Sequence, residues 1–235
     1  MKISLVIPAY NEEKYIGACL ESVIQNGSGL FEIIVVDNGS TDATSDIVRS
    51  FPNIRIVHEA LKGTTKARQR GGVEAKGDII AFIDADTKMP KGWVDKILDI
   101  FSKDSKVVCL SGPYKYENVS IPVRLSVYLY YIFAWPMYRL IGYMATGGNF
   151  VARKSSILQV NGFDTSIDFY GDDTHMAKQL HKVGKVLFLR KFSVYTSPRR
   201  FKREGIARTT YNYVTNFFSI VFRSKPASKK YTDIR

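Results

Sequence analysis

The sequence predicts an α/β fold built on a doubly wound, mostly parallel sheet. Two observations predict it. Short β-branched runs alternate with helix-period segments from residue 2 to residue 111. Three polar clusters, residues 8–12, 37–42 and 84–86, each follow one of those runs. In a parallel sheet all three would gather at the carboxyl edge, where ligands of such sheets bind.

The elements follow in order. Residues 2–7 are apolar and β-branched, the first expected strand, and residues 8–12 are the loop after it. A helix follows with Ile16, Leu20, Val23 and Ile24 on one face, ending near Gly27. Residues 31–36 form a second strand that runs into Asp37, Asn38, Gly39 and Ser40. Ser40 or Asp42 can cap the next helix, which reaches about Phe51. Residues 54–58 are a third strand, and residues 66–76 a basic helix closed by Gly77. The fourth strand, from Ile79, is a continuous apolar run of the kind buried on both faces. Pro90 suits the first turn of another helix, with Trp93, Ile97, Leu98 and Phe101 on its face, and residues 106–111 form a fifth strand.

The fourth strand ends in Asp84, Ala85 and Asp86. In extended backbone residues i and i+2 point the same way, which puts the two carboxylates together. Like charges so placed raise each other's pKa unless a cation or strong donors intervene. One reading is a hard divalent cation held by oxygen, with phosphates completing its shell. The other is one capping aspartate and one solvated turn aspartate.

The pattern changes after Pro113, with further divisions expected at residues 112/113 and 200/201. Residues 119–145 are aromatic and apolar; Arg124 and Arg139 bracket 14 residues that Pro136 interrupts. That is too short for one membrane-spanning helix. Tyrosine, tryptophan and flanking arginine suit a membrane interface, and a helix whose tyrosines line a groove fits as well. Gly147, Gly148 and Asn149 precede a strand at residues 150–153, either shaping a pocket or making a tight turn. Tyr170, Gly171, Asp172 and Asp173 open a helix with Met176, Leu180 and Val183 on one face, closed by Gly184. There the aspartates suit helix capping. Residues 185–189 and 193–196 read as strands and residues 197–203 as a basic loop. Residues 206–222 are aromatic and amphipathic, with a tail carrying Arg223, Lys225, Lys229, Lys230 and Arg235. An aromatic helix before a basic tail suits an interfacial anchor; a surface helix with a solvated end is the alternative.

Composition narrows the partners. The 235 residues are 45% hydrophobic and 24% charged, ordinary for a globular chain. Cys19 and Cys109 lie in apolar surroundings with no metal or redox spacing, as in a reduced cytosolic protein. No signal-peptide pattern is visible at Lys2 and the short run after it. The formal charge of +12 favours anionic partners: nucleotide phosphates, an anionic membrane face or nucleic acid.

Taken together, Val6–Ile7–Pro8–Ala9–Tyr10–Asn11–Glu12, Val35–Val36–Asp37–Asn38–Gly39–Ser40–Thr41–Asp42 and Asp84–Ala85–Asp86 resemble the family 2 glycosyltransferases of the GT-A fold. Gly147–Gly148–Asn149 and Gly171–Asp172–Asp173 continue the likeness in the same order, over about residues 1–200. The resemblance implies an inverting, sugar-nucleotide-dependent transferase using Mn2+ or Mg2+. It implies that Pro8, Ala9, Tyr10 and Glu12 cradle the nucleotide base and ribose. Asp37 would bond the base, uracil in most of the family. Asp86 would bind the metal and Asp84 the ribose or sugar; spacing alone would put both on the metal. Asp173 would be the general base, with Asp172 the alternative. Residues 1–112 then become the nucleotide-binding half, 113–200 the acceptor-binding half and 201–235 the amphipathic basic segment. Arg199 and Arg200 are candidates to grip the diphosphate, and Lys66 with Arg68 or Arg70 weaker ones. Gly148 and Asn149 would shape the sugar or acceptor pocket.

Two departures stand out. The family usually has Glu where Asp172 stands, and often an acid where His175 stands. The Gln-x-x-Arg-Trp signature of processive synthases is missing, which points to transfer of single sugars. The acceptor expected is a hydroxyl or phosphate of a glycan or a polyprenyl-linked lipid, and the setting the inner face of the cell membrane. A Mg2+-dependent nucleotidyltransferase is the rival; its usual glycine-rich phosphate loop is missing after the first strand. A nucleic-acid-binding protein is suggested by charge alone, and the carboxylate clusters oppose it. A Rossmann dehydrogenase is excluded, since no Gly-x-Gly-x-x-Gly follows the first strand.

Overall fold

The structure, a computed structural model, describes residues 1–117 and 119–228. Lys229, Lys230 and Arg235 of the expected basic tail lie outside the described residues. Strand and helix alternate as the apolar periodicity requires: β1 (Ile3–Ala9), α1 (Ile16–Asn26), β2 (Glu32–Asp37), α2 (Thr44–Arg49), β3 (Ile54–His58), α3 (Thr64–Glu74), β4 (Ile79–Ile83), β5 (Thr87–Lys88), α4 (Trp93–Lys103) and β6 (Val107–Ser111). Then come β7 (Tyr114–Tyr116), α5 (Ile121–Ile141), β8 (Asn149–Arg153), α6 (Lys154–Gln159), α7 (Asp172–His181), β9 (Lys185–Phe188), β10 (Val194–Thr196), α8 (Arg199–Glu204) and α9 (Ile206–Arg223).

The seven-stranded sheet has the order β3-β2-β1-β4-β8-β6-β9. It is parallel except for β8, which runs antiparallel to both β4 and β6. Alternate residues of the strands feed two cores. Leu5 and Ile7 meet Leu20 of α1 and Trp93 of α4 on one side. Val6, Ile34 and Phe82 meet Ala67 of α3 and Leu180 of α7 on the other. All five residues of β4 are buried, as a central strand covered on both faces must be.

The chain order changes direction between β1 and β4, the crevice where open α/β sheets bind ligands. Two features complete that edge. In β8, Asn149 pairs with Ile83, so the antiparallel strand carries Gly147 and Gly148 in beside Asp84. A small sheet of β5, β10 and β7 sets Thr196 opposite both Thr87 and Tyr116.

Several expectations change. Pro8 and Ala9 belong to β1, not to the loop after it. Pro8 is tolerated because β4 pairs with β1 only as far as Val6, so no ladder bond from its nitrogen is needed on that side. Ile24 is exposed, and Cys19 takes its place on the buried face of α1. The stretch bracketed by Arg124 and Arg139 is the middle of one 21-residue helix, α5, which continues through Pro136. The basic loop at 197–203 is largely helical, as α8. The carboxylates of Asp84 and Asp86 leave not from extended strand but from a turn closed by the Thr87 N–H to the Asp84 carbonyl at 3.0 Å. No helix among the described residues is long and apolar enough to cross a membrane.

Candidate active site

A cavity of about 230 Å³ opens at the carboxyl edge of the sheet. Pro8, Ala9, Tyr10 and Asn38 line it from the β1 and β2 ends, and Asp84 and Asp86 from the end of β4. Asp172 and Asp173 reach it from the start of α7, and Arg199 and Arg200 from α8. The turn after β4 separates its two aspartates. The Asp84 carboxylate accepts from Arg68 Nη2 at 2.8 Å and from the Tyr114 hydroxyl at 3.2 Å. The Asp86 carboxylate accepts from the Thr196 hydroxyl at 3.3 Å and lies 2.9 Å from Arg199 Nε. Ala85, between them, points away into the core on the α1 and α4 side.

Arg199 spans two clusters. Its two terminal nitrogens donate to the Glu12 carboxylate at 2.7 and 2.6 Å, in the fork geometry that arginine offers carboxylates and phosphates. Glu12 is thus buried under Arg199 rather than open to a ribose. Burial, with the charges of Asp84 and Glu12, pushes the Asp86 carboxyl up to about 6 against the pull of Arg199.

Arg68 is the second bridge. It is buried and pairs with Asp84 through one terminal nitrogen and with Asp172 through the other. Burial lowers its pKa, but the two carboxylates outweigh this and hold the guanidinium charged. Asp173 is left to other donors. Its Oδ2 accepts from the Gly147 N–H at 2.8 Å and its Oδ1 from the Thr174 N–H at 2.6 Å. Burial and the neighbouring Asp172 charge push its carboxyl up to about 7. The N-cap is Gly171, and both aspartates stand in the first turn of α7, where Asp173 also accepts from a first-turn N–H, that of Thr174.

The two glycines before β8 have a steric role. A Cβ on Gly148 would lie 2.2 Å from Asp84 Oδ2, and one on Gly147 would lie 2.6 Å from Arg68 Nη2. A side chain at either position would have to push the Asp84 carboxylate or the Arg68 guanidinium aside. The Gly148 N–H also donates to the Tyr114 hydroxyl at 2.6 Å.

Other expected residues fall elsewhere. Asn149 is fully buried outside the cavity lining; it donates to the Gly112 and Phe192 carbonyls and accepts from the Trp93 indole N–H at 3.0 Å. Its role is to lock β8 to α4 and the β9–β10 connection. Asp37 is buried beside the cavity, accepting from the Ser40 N–H at 3.0 Å and the Ser45 hydroxyl at 2.7 Å, with His58 Nδ1 3.3 Å away. Burial raises its pKa, but those hydrogen bonds prevail and hold it below the usual range. Arg70 faces out and pairs with Glu74 at 3.0 Å, and Lys66 Nζ lies 3.6 Å from Asp168. Two residues along α3 turn a side chain by roughly 200°, so Arg68 and Arg70 cannot share a face. Arg200 lines the cavity while stacking on Phe169 at 4.7 Å and donating to Glu204 at 2.9 Å. His175 is half-buried outside the cavity lining, beside Gln179, and burial lowers its pKa.

Phenols line much of the cavity, as the reading of a helix whose tyrosines line a groove allowed for Tyr130 and Tyr131. Tyr114, Tyr116 and Tyr213 line the cavity with Tyr130 and Tyr131 of α5. Burial pushes all five phenols up, so they remain protonated donors. The run at 127–135 held two of them and the aromatic segment 206–222 a third; nothing local marks Tyr114 and Tyr116.

The donor set suits a hard cation. Asp84 and Asp86 offer carboxylate oxygens, and no third His, Cys, Asp or Glu completes a protein cage with them among the described residues. Mg2+ and Mn2+ take carboxylate oxygens of this kind and fill the rest of their shell with water and phosphate. A cation there would also offset the burial that raises the Asp86 carboxyl.

Comparison with known proteins places the sequence and the fold. The chain is 32% identical over 122 residues to glycosyltransferase GlyG of Streptococcus pneumoniae, covering 49% of this chain and 40% of GlyG. It is 35% identical over 101 residues to glycosyltransferase AglE of Haloferax volcanii, covering 40% and 33%. The chain therefore spans well under half the length of these curated relatives. Among solved structures, it superposes on the mannosyltransferase PcManGT of Pyrobaculum calidifontis, in complex with GDP-Man and Mn2+, with a TM-score of 0.73 at 19% identity, covering 97% of this chain and 66% of that one. Glucosyl-3-phosphoglycerate synthase of Mycobacterium tuberculosis, in complex with Mn2+ and UDP-glucose, gives 0.66 at 20%, covering 97% and 80%. At such identities the likeness is one of fold, the GT-A fold. The sequence profile of glycosyl transferase family 2 matches residues 4–160, two thirds of the sequence, and the chain belongs to that family.

Proposed function

We propose that this chain is a metal-dependent, inverting glycosyltransferase. It moves one sugar from a nucleoside diphosphate sugar, UDP by preference, to an acceptor hydroxyl, lipid-linked and presented at a membrane surface. One observation carries the proposal: a single cavity holds the Asp84–Asp86 pair on one wall and Asp173 on the other, joined by Arg68 through Asp84 and Asp172. The Mn2+ and sugar nucleotides of the two superposed structures support the donor class.

Asp86, with Asp84, would hold Mn2+ or Mg2+, which stabilises the charge building on the departing diphosphate as a Lewis acid. Arg199, already forked onto a carboxylate, is shaped to grip the diphosphate oxygens. Pro8, Ala9, Tyr10 and Asn38 border the space left for the nucleoside. On the far side, Asp173 takes the proton of the acceptor hydroxyl. Its carboxyl at about 7 suits a base working near neutral pH. The Gly147 and Thr174 N–H groups hold it in place. The acceptor oxygen attacks the anomeric carbon opposite the diphosphate, so configuration inverts without a covalent enzyme intermediate. The exposed apolar residues of α5 and α9, among them Phe133, Leu140 and Phe222, support a peripheral membrane setting.

The test is thermal stabilisation by UDP-, GDP- and dTDP-sugars, each with Mn2+ and with a chelator. A ligand at 100 times its Kd adds about 2.7 kcal/mol of stability, which raises Tm by roughly 5–11 °C in a chain of this size. Stabilisation by one nucleotide class that requires Mn2+ is the expected result. If no sugar nucleotide shifts the Tm, the proposal fails.

A further inference from the structure

Beside the donor cavity lies a second, more open groove of about 470 Å³. Its walls are aromatic and apolar, with Tyr128, Tyr131 and Trp135 from α5 and Phe188 at the end of β9. Its charged lining residues are Lys115, Arg124 and Arg190, and no carboxylate lines it among the described residues. All three cations are exposed at the groove. Arg190 lies over the Trp135 ring at 6.0 Å and Lys115 over the Tyr195 ring at 5.6 Å, so the aromatic floor holds the charges where they are. The proposed function uses none of these residues.

The groove joins the donor cavity. Tyr114, Tyr116, Val127 and Tyr131 line both. Tyr131 is part of the wall between them: its hydroxyl accepts the Tyr114 N–H at 3.3 Å, and Asp173 lines the donor cavity with it. A molecule in the groove thus borders the cavity that Asp173 lines. On the outer side, the groove merges with the exposed face of α5, where Ile121, Leu125, Tyr128 and Ile132 stand in solvent.

Three chemistries therefore lie in sequence: an exposed apolar helix face, a cationic aromatic groove, and a carboxylate base. We infer that the groove receives the phosphate linkage of a lipid-linked sugar acceptor, its apolar chain along α5 and its sugar passing Tyr131 to Asp173. This rests on the reading of the cavity as a glycosyltransferase site. An acceptor made of sugar alone would bring no counter-charge to the three cations, and a bare phosphate would bring no apolar surface to the aromatic walls. In the transfer, the acceptor O–H gives its proton to Asp173 and its oxygen bonds to the anomeric carbon. The bond from that carbon to the donor diphosphate breaks, and its electron pair leaves with the nucleoside diphosphate.

The groove carries its own reporter. The chain has two tryptophans; Trp93 is buried and stacked on Phe192, and Trp135 lines the groove. The full chain is titrated without nucleotide, following tryptophan fluorescence, with farnesyl diphosphate below its micelle concentration, with farnesol and with inorganic pyrophosphate. Saturable quenching by farnesyl diphosphate is expected, at least tenfold tighter than by either fragment. Arg124→Glu and Arg190→Glu, each checked for an unchanged melting curve, should weaken it at least tenfold and leave Mn2+–sugar-nucleotide stabilisation intact. Arg124 guards against a fluorescence change caused only by losing Arg190 from the Trp135 ring. Farnesol binding as tightly as its diphosphate, undiminished affinity in both variants, or phosphatidylglycerol micelles competing at equal affinity would overturn the inference. Because no nucleotide is present, these outcomes are independent of the sugar-nucleotide screen.

Discussion

Arg68→Met isolates the bridge between the two halves of the site. Arg68 has 6% of its side chain exposed, Asp172 4% and Asp84 32%. Removing the guanidinium leaves one fully buried carboxylate and one partly wet carboxylate without their shared cation. Breaking a buried ion pair from one side costs about 3–5 kcal/mol. Asp84 keeps the Tyr114 hydroxyl and some water, so the lower end, about 3 kcal/mol, is expected here. For a chain of this length that corresponds to a fall in Tm of roughly 6–12 °C. Urea unfolding at pH 7.5, followed by circular dichroism, measures it on the wild type, Arg68→Met, Asp172→Asn and the double variant. Asp172→Asn should restore part of the loss in the Arg68→Met background, because it removes the charge that the arginine was neutralising. A coupling of about 1–3 kcal/mol between the two positions is expected for such a contact. A loss below about 1 kcal/mol in Arg68→Met, or strict additivity in the double variant, would refute the bridge.

Other substitutions separate the roles at the site. Asp173→Asn should cut transfer by roughly 100-fold or more while sugar-nucleotide stabilisation of Tm survives; near-normal turnover removes Asp173 as base. With its carboxyl at about 7, the base form fills as pH rises, so wild-type kcat/KM should climb between about pH 6 and 8; a profile flat through 7 contradicts this. Asp86→Ala should abolish the Mn2+ requirement of donor stabilisation along with most of its magnitude, read by the same melting assay. Gly148→Ala drives a methyl into Asp84, so Mn2+-dependent donor binding should fall at least tenfold; unchanged binding would show that this backbone yields. Asn149→Leu removes acceptor and donor contacts to three partners and should destabilise the fold by about 2–4 kcal/mol.

The sequence by itself determined the sheet and the edge where chemistry happens. Continuous apolar runs such as Ile79–Ile83 have one economical solution, a strand covered on both faces. Parallel order then sends every following loop to the same side, so Asp84, Asp86 and Tyr10 converge whatever the rest of the chain does. Motif order carried the family likeness for the same reason: those residues are fixed by local backbone. What the tertiary structure decided are pairings between distant residues. Arg68 meets Asp172 across 104 positions and Arg199 meets Glu12 across 187. Helical phase alone could not choose Arg68 over Arg70, because the choice depends on which face of α3 lies on the sheet. Asn149 looked like a pocket residue, and became a lock once β8 was inserted antiparallel between β4 and β6. The Asp84–Asp86 pair shared a direction in extended chain; the turn at Thr87 gave each a different arginine, because a charge leaving a buried strand must find its own counter-charge in the fold.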